Sequence, residues 1–262
     1  MGKISVIINT FNEAHLLEDC IKSLEGFANE IIVGDMMSTD GSAELAKKMG
    51  CRVILHKWMP AVEYTTIPMV KAALFEWILL FDPDMRISKK TAERLKNIAK
   101  NDEADVVIFY MKNKIFGKYI YHGHASACHY IKFFKKSSFF KNGDPKVKIH
   151  SMLHEAVLNK TNRILKLNKK YMIEHLAYEN VFKCFEQHLR YAQIEAQERF
   201  SRGIRFNFFI MILEVVRKFL TDFVYRSAWL SGMRGIIYSF IAELMVLQIH
   251  FLLWEKTKKN GN

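Results

Sequence analysis

Trp77-Ile-Leu-Leu-Phe-Asp-Pro-Asp84 is a run of five apolar residues that ends in two aspartates separated by one proline. Read as a buried strand, it places Asp82 and Asp84 at the exit, because a carboxylate inside a sheet core is costly unless it is paired or binds a cation. Two carboxylates one residue apart reach a single hard cation, and Mg²⁺ or Mn²⁺ suits such oxygen ligands when phosphates complete its shell. The other reading of the same residues is a polar turn that caps a helix starting near Ser88.

Upstream, the same theme repeats. Ile4 to Ile8 is a β-branched run leading into Asn9-Thr-Phe-Asn-Glu13, and Leu16, Leu17, Cys20, Ile21 and Leu24 then follow helical spacing. Glu30-Ile-Ile-Val-Gly-Asp35 is a second strand ending in a carboxylate, followed by a turn through Asp40 and Gly41 and a helix over Ser42 to Lys48. Cys51 to Leu55 is a third strand. The order β-α-β-α-β predicts an α/β chain with parallel strands, in which ligands bind beyond the carboxyl ends of the strands. Three polar clusters, Thr10 to Glu13, Asp35 to Asp40 and Asp82 to Asp84, fall at such ends. No Gly-x-Gly-x-x-Gly follows the first strand and no Gly-Lys-Ser/Thr loop is present, which argues against a dinucleotide dehydrogenase and a P-loop enzyme.

The chain has 262 residues, half of them hydrophobic and a quarter charged, enough for a large domain with a helical appendage. Its net charge of +12 implies an anionic partner. No helix-turn-helix or zinc-finger pattern accompanies that charge, so no nucleic-acid partner is expected. Cys20, Cys51, Cys128 and Cys184 stand far apart and read as isolated thiols in a reducing compartment. The first residues are too short and strand-like for a secretory signal, so the expected location is cytoplasmic.

Downstream, Lys57 to Lys71 reads as a loop leading into a helix, Thr91 to Lys100 as a helix and Asp105 to Tyr110 as a strand. Lys112 to His129 reads as a hairpin, Tyr130 to Phe134 as a strand and Lys135 to Lys148 as a basic loop. In His150-Ser-Met-Leu-His-Glu155, Glu155 is placed to act as a general base, or is simply a solvated residue at a strand edge. His175 follows a short strand and reads as a structural residue. From Phe182 the pattern turns helical: Phe182 to Phe200, Phe206 to Tyr225 and Gly235 to Trp254. The last is long enough to cross a bilayer but contains Glu243, Gln248 and His250, and a charge near the centre of a span costs about 2.5 to 3.5 kcal/mol. Helices packed on the domain, in a dimer contact, or lying in a membrane interface are expected instead.

Together, Ser5-Val-Ile-Ile-Asn-Thr-Phe-Asn-Glu13, Ile31 to Asp35 with Ser38-Thr-Asp-Gly41, Trp77 to Asp84 and His154-Glu155 resemble the family 2 inverting glycosyltransferases. Tyr121-His-Gly123, Lys132-Phe-Phe-Lys135, His175 and Ser231-Gly-Met-Arg-Gly235 make the chain most similar to the branch containing lipopolysaccharide core β-1,4-glucosyltransferases. The resemblance implies a GT-A fold, a Rossmann-like mixed sheet flanked by helices, over residues 1–180, with a C-terminal helical region over 181–262.

It also implies a nucleotide-diphosphate sugar donor, a UDP-sugar foremost, and a glycan or glycolipid acceptor. Thr10, Asn12, Glu13, Asp35, Asp82, Lys132 and His154 would bind substrate, and Lys135 is a further source of positive charge. Asp84 with Asp82 would hold the metal, and Glu155 would be the catalytic base. Work at the inner face of the cytoplasmic membrane, peripheral association with anionic lipid and a homodimer are the accompanying expectations. Met36, Met37 and Met85 stand inside otherwise polar motifs, so a nucleotide-sugar-binding scaffold without turnover is the competing expectation.

Overall fold

The computed structural model describes residues 2–123, 129–145 and 163–259. They form two compact units: Met1–Met111 with His129–His175, and Lys112–Cys128 with Leu176–Asn262. The chain therefore leaves the first unit at 111, returns at 129 and leaves again after 175.

In the first unit, β1 (Ile4–Thr10), β2 (Glu30–Asp35), β3 (Arg52–Leu55) and β4 (Trp77–Phe81) lie parallel in the order β3-β2-β1-β4. The near-continuous apolar runs of β1 and β4 follow from burial on both faces, as parallel sheets require. Alternate residues feed two cores. Val6, Ile8, Leu79 and Phe81 join one, and Ile7, Ile78 and Leu80 the other. The connecting helices are α1 (Ala14–Ser23), α2 (Ser42–Lys48) and α3 (Glu63–Ala72). Helix α1 buries Leu17, Cys20 and Ile21, the inner stripe that its spacing predicts.

After the aspartates, the Met85 amide donates to the Asp82 carbonyl at 2.9 Å and closes a turn. A three-residue strand, β5 (Met85–Ile87), follows, and then α4 (Lys89–Asn101), capped by the Ser88 side chain accepting from the Thr91 amide. The rest is β6 (Val106–Ile115), β7 (Lys118–Tyr119), β8 (His129–Lys135), α5 (Lys136–Phe139), β9 (Ile164–Lys166) and β10 (Ile173–Tyr178). Strand β8 is antiparallel to both β4 and β6, which makes the sheet mixed. Strand β10 runs antiparallel to β5 and sets His175 opposite Met85. Two readings from sequence change here. His175 lies inside a strand and not after one, and the basic loop begins with a short helix that buries Phe139.

In the second unit, α6 (Val181–Ser201) and α8 (Gly232–Lys259) pack through Ala192, Ala196, Ile249 and Leu253. Between them, α7 (Phe208–Phe219) runs into a π-helical turn, Leu220–Tyr225, and a 3-10 turn, Ala228–Ser231. Asn180 and Asn207 cap α6 and α7 with their side-chain oxygens. The motifs Tyr121-His-Gly123 and Ser231-Gly-Met-Arg-Gly235 serve one another. Ser231 Oγ accepts from the His122 amide and donates to its carbonyl, both at 3.1 Å. A Cβ on Gly123 would stand 3.0 Å from that of Ala228, and one on Gly235 only 2.4 Å from the Ala228 carbonyl oxygen.

Candidate functional site

The parallel register sets Thr10 beside Asp35 and Ile8 beside Phe81, so the ends of β2, β1 and β4 open on one edge of the sheet. Thr10 and Asp35 are buried there. The Ser38 amide donates to Asp35 Oδ1 at 2.9 Å, whereas Asp35 Oδ2 and Thr10 Oγ1 are buried without a partner. Asp84 Oδ1 and His56 Nε2 are in the same condition. Buried polar atoms are nearly always hydrogen-bonded, and an orphan calls for a partner such as a water, an ion or a ligand. Among the described residues, four of the nine such atoms stand at the carboxyl ends of the parallel strands, where this fold class binds ligands.

The two loops flanking β1 and β2 are tied together. The Asn12 amide donates to Ser38 Oγ at 2.9 Å and the Thr39 amide to Asn12 Oδ1 at 2.8 Å, with Asn12 at φ 55°. This left-handed conformation suits Asn better than most residues. The Ala14 amide donates to Asp40 Oδ2 at 2.8 Å, and Ser42 donates to Asp40 Oδ1 through its amide at 3.0 Å and its hydroxyl at 2.6 Å. Burial works against ionisation of Asp40, but those hydrogen bonds prevail and hold its carboxyl below the ordinary value. Asn12 is thus a clasp between loops. Glu13, at the cap position of α1, sits in the same loop.

At the Asp82-Pro-Asp84 turn the two carboxylates face different partners. Asp82 is ion-paired with Lys132 Nζ. Asp84 Oδ2 lies 3.1 Å from His175 Nε2 while Oδ1 is left open. Burial raises the cost of charging Asp84, yet His175 and the positive charge of Lys132 outweigh it and keep the carboxyl below its usual value. The turn is held by Arg86, whose guanidinium donates to the carbonyls of Pro83 (2.7 Å), Met85 (2.7 Å) and Leu16 (3.0 Å).

A carboxylate with one oxygen oriented by a histidine and the other unpartnered is a suitable ligand for a divalent cation. Among the described residues, no three His, Cys, Asp or Glu side chains gather into a complete protein cage. The donor set therefore fits a hard ion whose remaining ligands come from elsewhere, as phosphate oxygens do for Mg²⁺. Lys135 does not belong here. It pairs with Asp102 and, at 2.9 Å, with Asp105.

His154 and Glu155 lie outside the described residues. Of the other residues singled out in the sequence, Thr10, Asn12, Glu13 and Asp35 are gathered on the β1 and β2 ends, and Asp82, Asp84 and Lys132 on the β4 turn. Sequence reading misses His56. Its amide donates to the Asp35 carbonyl at 3.0 Å, which brings the ring to the acidic end of β2. Its Nδ1 is 2.9 Å from the Lys57 carbonyl, a contact that requires a proton on Nδ1 and, in the neutral ring, leaves Nε2 an acceptor. Gly34 keeps that corner open: a Cβ there would meet Asn9 Oδ1 at 2.6 Å, Met69 Cε at 2.9 Å and His56 Nε2 at 3.2 Å. The available signal was a histidine immediately after the third strand.

Two of the three methionines inside the polar motifs are explained by packing. Met85 and Met36 are buried, the former in the main core, and only Met37 is exposed, at φ 60°.

Residues 5–157 match the family profile described as Glycosyl transferase family 2. A glycosyltransferase of Rickettsia typhi is 26% identical over 253 residues, which cover 92% of this chain and 83% of that protein. Among solved structures, a mannosyltransferase from Pyrobaculum calidifontis in complex with GDP-Man and Mn²⁺ superimposes with a TM-score of 0.60 at 14% identity, covering 97% of this chain and 88% of that one. S. aureus TarS 1-349 in complex with UDP-GlcNAc does so with a TM-score of 0.53 at 17% identity, covering 99% and 92%. The mixed sheet flanked by helices is the GT-A arrangement of these neighbours. With the profile matched over more than half its length, this chain belongs to glycosyl transferase family 2.

Proposed function

We propose that the protein is an inverting glycosyltransferase that moves a sugar from a nucleotide-diphosphate donor, a UDP-sugar foremost, to a hydroxyl of a bacterial surface glycan or glycolipid. The observation that carries this reading is the row of buried, unpartnered oxygens of Thr10, Asp35 and Asp84 at the ends of three adjacent strands. The neighbours bound to UDP-GlcNAc and GDP-Man support a nucleotide-sugar donor for this chain as well. The lipopolysaccharide core branch is the acceptor class that the sequence motifs favour.

In this reading the loop of Thr10, Asn12 and Glu13 meets the nucleotide, and Asp35 with His56 takes the base or ribose. Asp84, with Asp82, would hold Mg²⁺ or Mn²⁺. Such an ion supplies the positive charge that a diphosphate leaving group needs beside carboxylates. Lys132 adds a cation beside Asp82, and His175 fixes the orientation of Asp84. The acceptor oxygen attacks the anomeric carbon, the bond from that carbon to the diphosphate oxygen breaks, and the configuration inverts. Glu155, next to His154 in the chain, takes the acceptor's proton as general base.

A donor panel with Mn²⁺ or Mg²⁺, followed by nucleoside diphosphate release, tests this. Wild type should release product from one class of donor, and Asp84→Asn should lower turnover by about 100-fold or more, the scale of losing an electrostatic contact to the transition state. Glu155→Gln should abolish transfer while still binding donor. If no donor binds and Asp84→Asn changes nothing, the enzyme reading fails. Tight binding without transfer to any acceptor would favour the scaffold.

A further inference from the structure

Helix α7 is inverted with respect to water. Phe208, Phe209, Ile212, Leu213, Val216 and Phe219 fall on one side of a 3.6-residue helix, and all six are exposed, Phe209 at 81% and Leu213 at 66%. On the opposite side Glu214 and Lys218 turn toward partners within the unit. Glu214 pairs with Arg199 at 3.0 Å and lies 3.1 Å from His250 Nε2. Lys218 pairs with Asp222, which is fully buried and also meets Arg226 at 3.2 Å. The apolar surface continues past the helix through Val224, Tyr225 at 86% exposure, Trp229, Leu230 and Met233. Exposed apolar surface this continuous marks a contact site.

We propose that this face docks on the surface of a bilayer containing anionic lipid, with α7 lying in the plane of the interface. The length fits: 12 residues make about 18 Å of helix, short of the roughly 30 Å hydrocarbon core. Helix α8 is the one described helix long and apolar enough to cross a membrane. Nevertheless, it packs on α6, whose outer side exposes Lys183, Glu186 and Arg190. A bilayer around α8 would bring those charges into hydrocarbon, whereas α7 and the turns after it meet lipid without stripping any packed neighbour. Tyr225 and Trp229 are the residue types that settle at headgroup level.

Charge selects lipid over a second copy of the chain. Residues 112–128 and 176–262 carry fifteen Lys and Arg against eight Asp and Glu. Positions 202–234 carry six basic residues, Arg202, Arg205, Arg217, Lys218, Arg226 and Arg234, against two acids: Asp222 is taken up by Lys218 and Arg226, Glu214 by Arg199, and Arg202 reaches Glu198 at 4.0 Å. A two-fold contact would set this basic rim against itself. An anionic leaflet offers the opposite sign.

Vesicle sedimentation of the full chain tests the proposal, using phosphatidylcholine alone and phosphatidylcholine mixed with phosphatidylglycerol. The wild type should partition onto the mixed vesicles at least tenfold better than onto the neutral ones, and high salt should weaken that binding. Phe209→Glu with Leu213→Glu should lower partitioning at least tenfold with unchanged thermal melting. Arg217→Glu, at an exposed position that a folding defect does not confound, should lower it several-fold on the mixed vesicles only. Absence of vesicle binding, equal binding to both vesicle types, or indifference to Arg217→Glu overturns the proposal. So does a wild-type dimer in sedimentation velocity that the double substitution converts to monomer.

Discussion

Asp84 and His175 act as a pair, and neither is informative alone. The carboxylate keeps one oxygen on the imidazole at 3.1 Å and holds the other ready. Loss of an orienting partner to a metal ligand typically costs 10- to 100-fold in metal affinity or activity. His175→Ala should therefore raise the Mn²⁺ or Mg²⁺ concentration for half-maximal activity by about 10- to 100-fold. An unchanged metal requirement in a metal titration of the variant would remove His175 from the site. His56 makes a separate prediction. If its Nε2 accepts a hydrogen bond from the donor, His56→Ala should weaken donor binding by about tenfold, the scale of one hydrogen bond, with kcat nearly unchanged. The aspartates stood out in the sequence because a carboxylate that ends an apolar run must lie at the strand's exit, paired, solvated or at a ligand. The histidines did not, because their meaning comes from pairing across β10 and β5 and from the backbone after β3, contacts that sequence spacing does not encode.

The elements with a long period or a strong cap were readable. Helices α1, α4 and α6 begin and end within a few residues of where apolar spacing puts them, and in the structure Ser88 and Asn180 cap α4 and α6. Strands β5 and β9, three residues each, carry too little alternation to be seen, and the π-helical turn after α7 reads as simple continuation of the helix. Gly235→Ala forces a methyl group to within 2.4 Å of the Ala228 carbonyl, so it should destabilise by about 1–3 kcal/mol, the usual cost of overpacking. Chemical denaturation measures this, and a neutral effect would mean that the turn at Ala228 yields freely.

Glu243 on α8 is buried, with both carboxylate oxygens unpartnered. Burial pushes its carboxyl up to about 7, with Lys218 pulling it down and Asp222 pushing it further up. A carboxyl raised above its ordinary 4.5 binds its proton more tightly in the folded state, so its contribution to stability is fully present below that value and is lost as pH rises through about 7. Glu243→Gln should raise Tm by a few degrees at pH 8 and by less at pH 5. Equal differences from wild type at the two pH values would contradict the burial argument.

At the scale of the whole molecule, the sequence separates a nucleotide-binding α/β part from a helical part, and the structure redraws the division. Residues 112–123 belong with the C-terminal helices because Gly123 and His122 are bound by the Arg226 to Ser231 turns, a link between segments about a hundred residues apart. The excess of basic charge, read from composition as a sign of an anionic partner, has a place in both units. In the first, Lys132 is ion-paired with Asp82 at the proposed donor site, and in the second, arginines flank the exposed apolar face of α7. A cation held at the β4 turn for a nucleotide diphosphate, as proposed, is detectable by calorimetric titration. UDP and its sugars, titrated with and without Mn²⁺ into wild type and Asp84→Asn, should bind the wild type at least tenfold tighter with the metal. The variant should lose that difference while keeping its melting temperature. Equal, metal-independent binding by both proteins would contradict a cation site at the β4 turn.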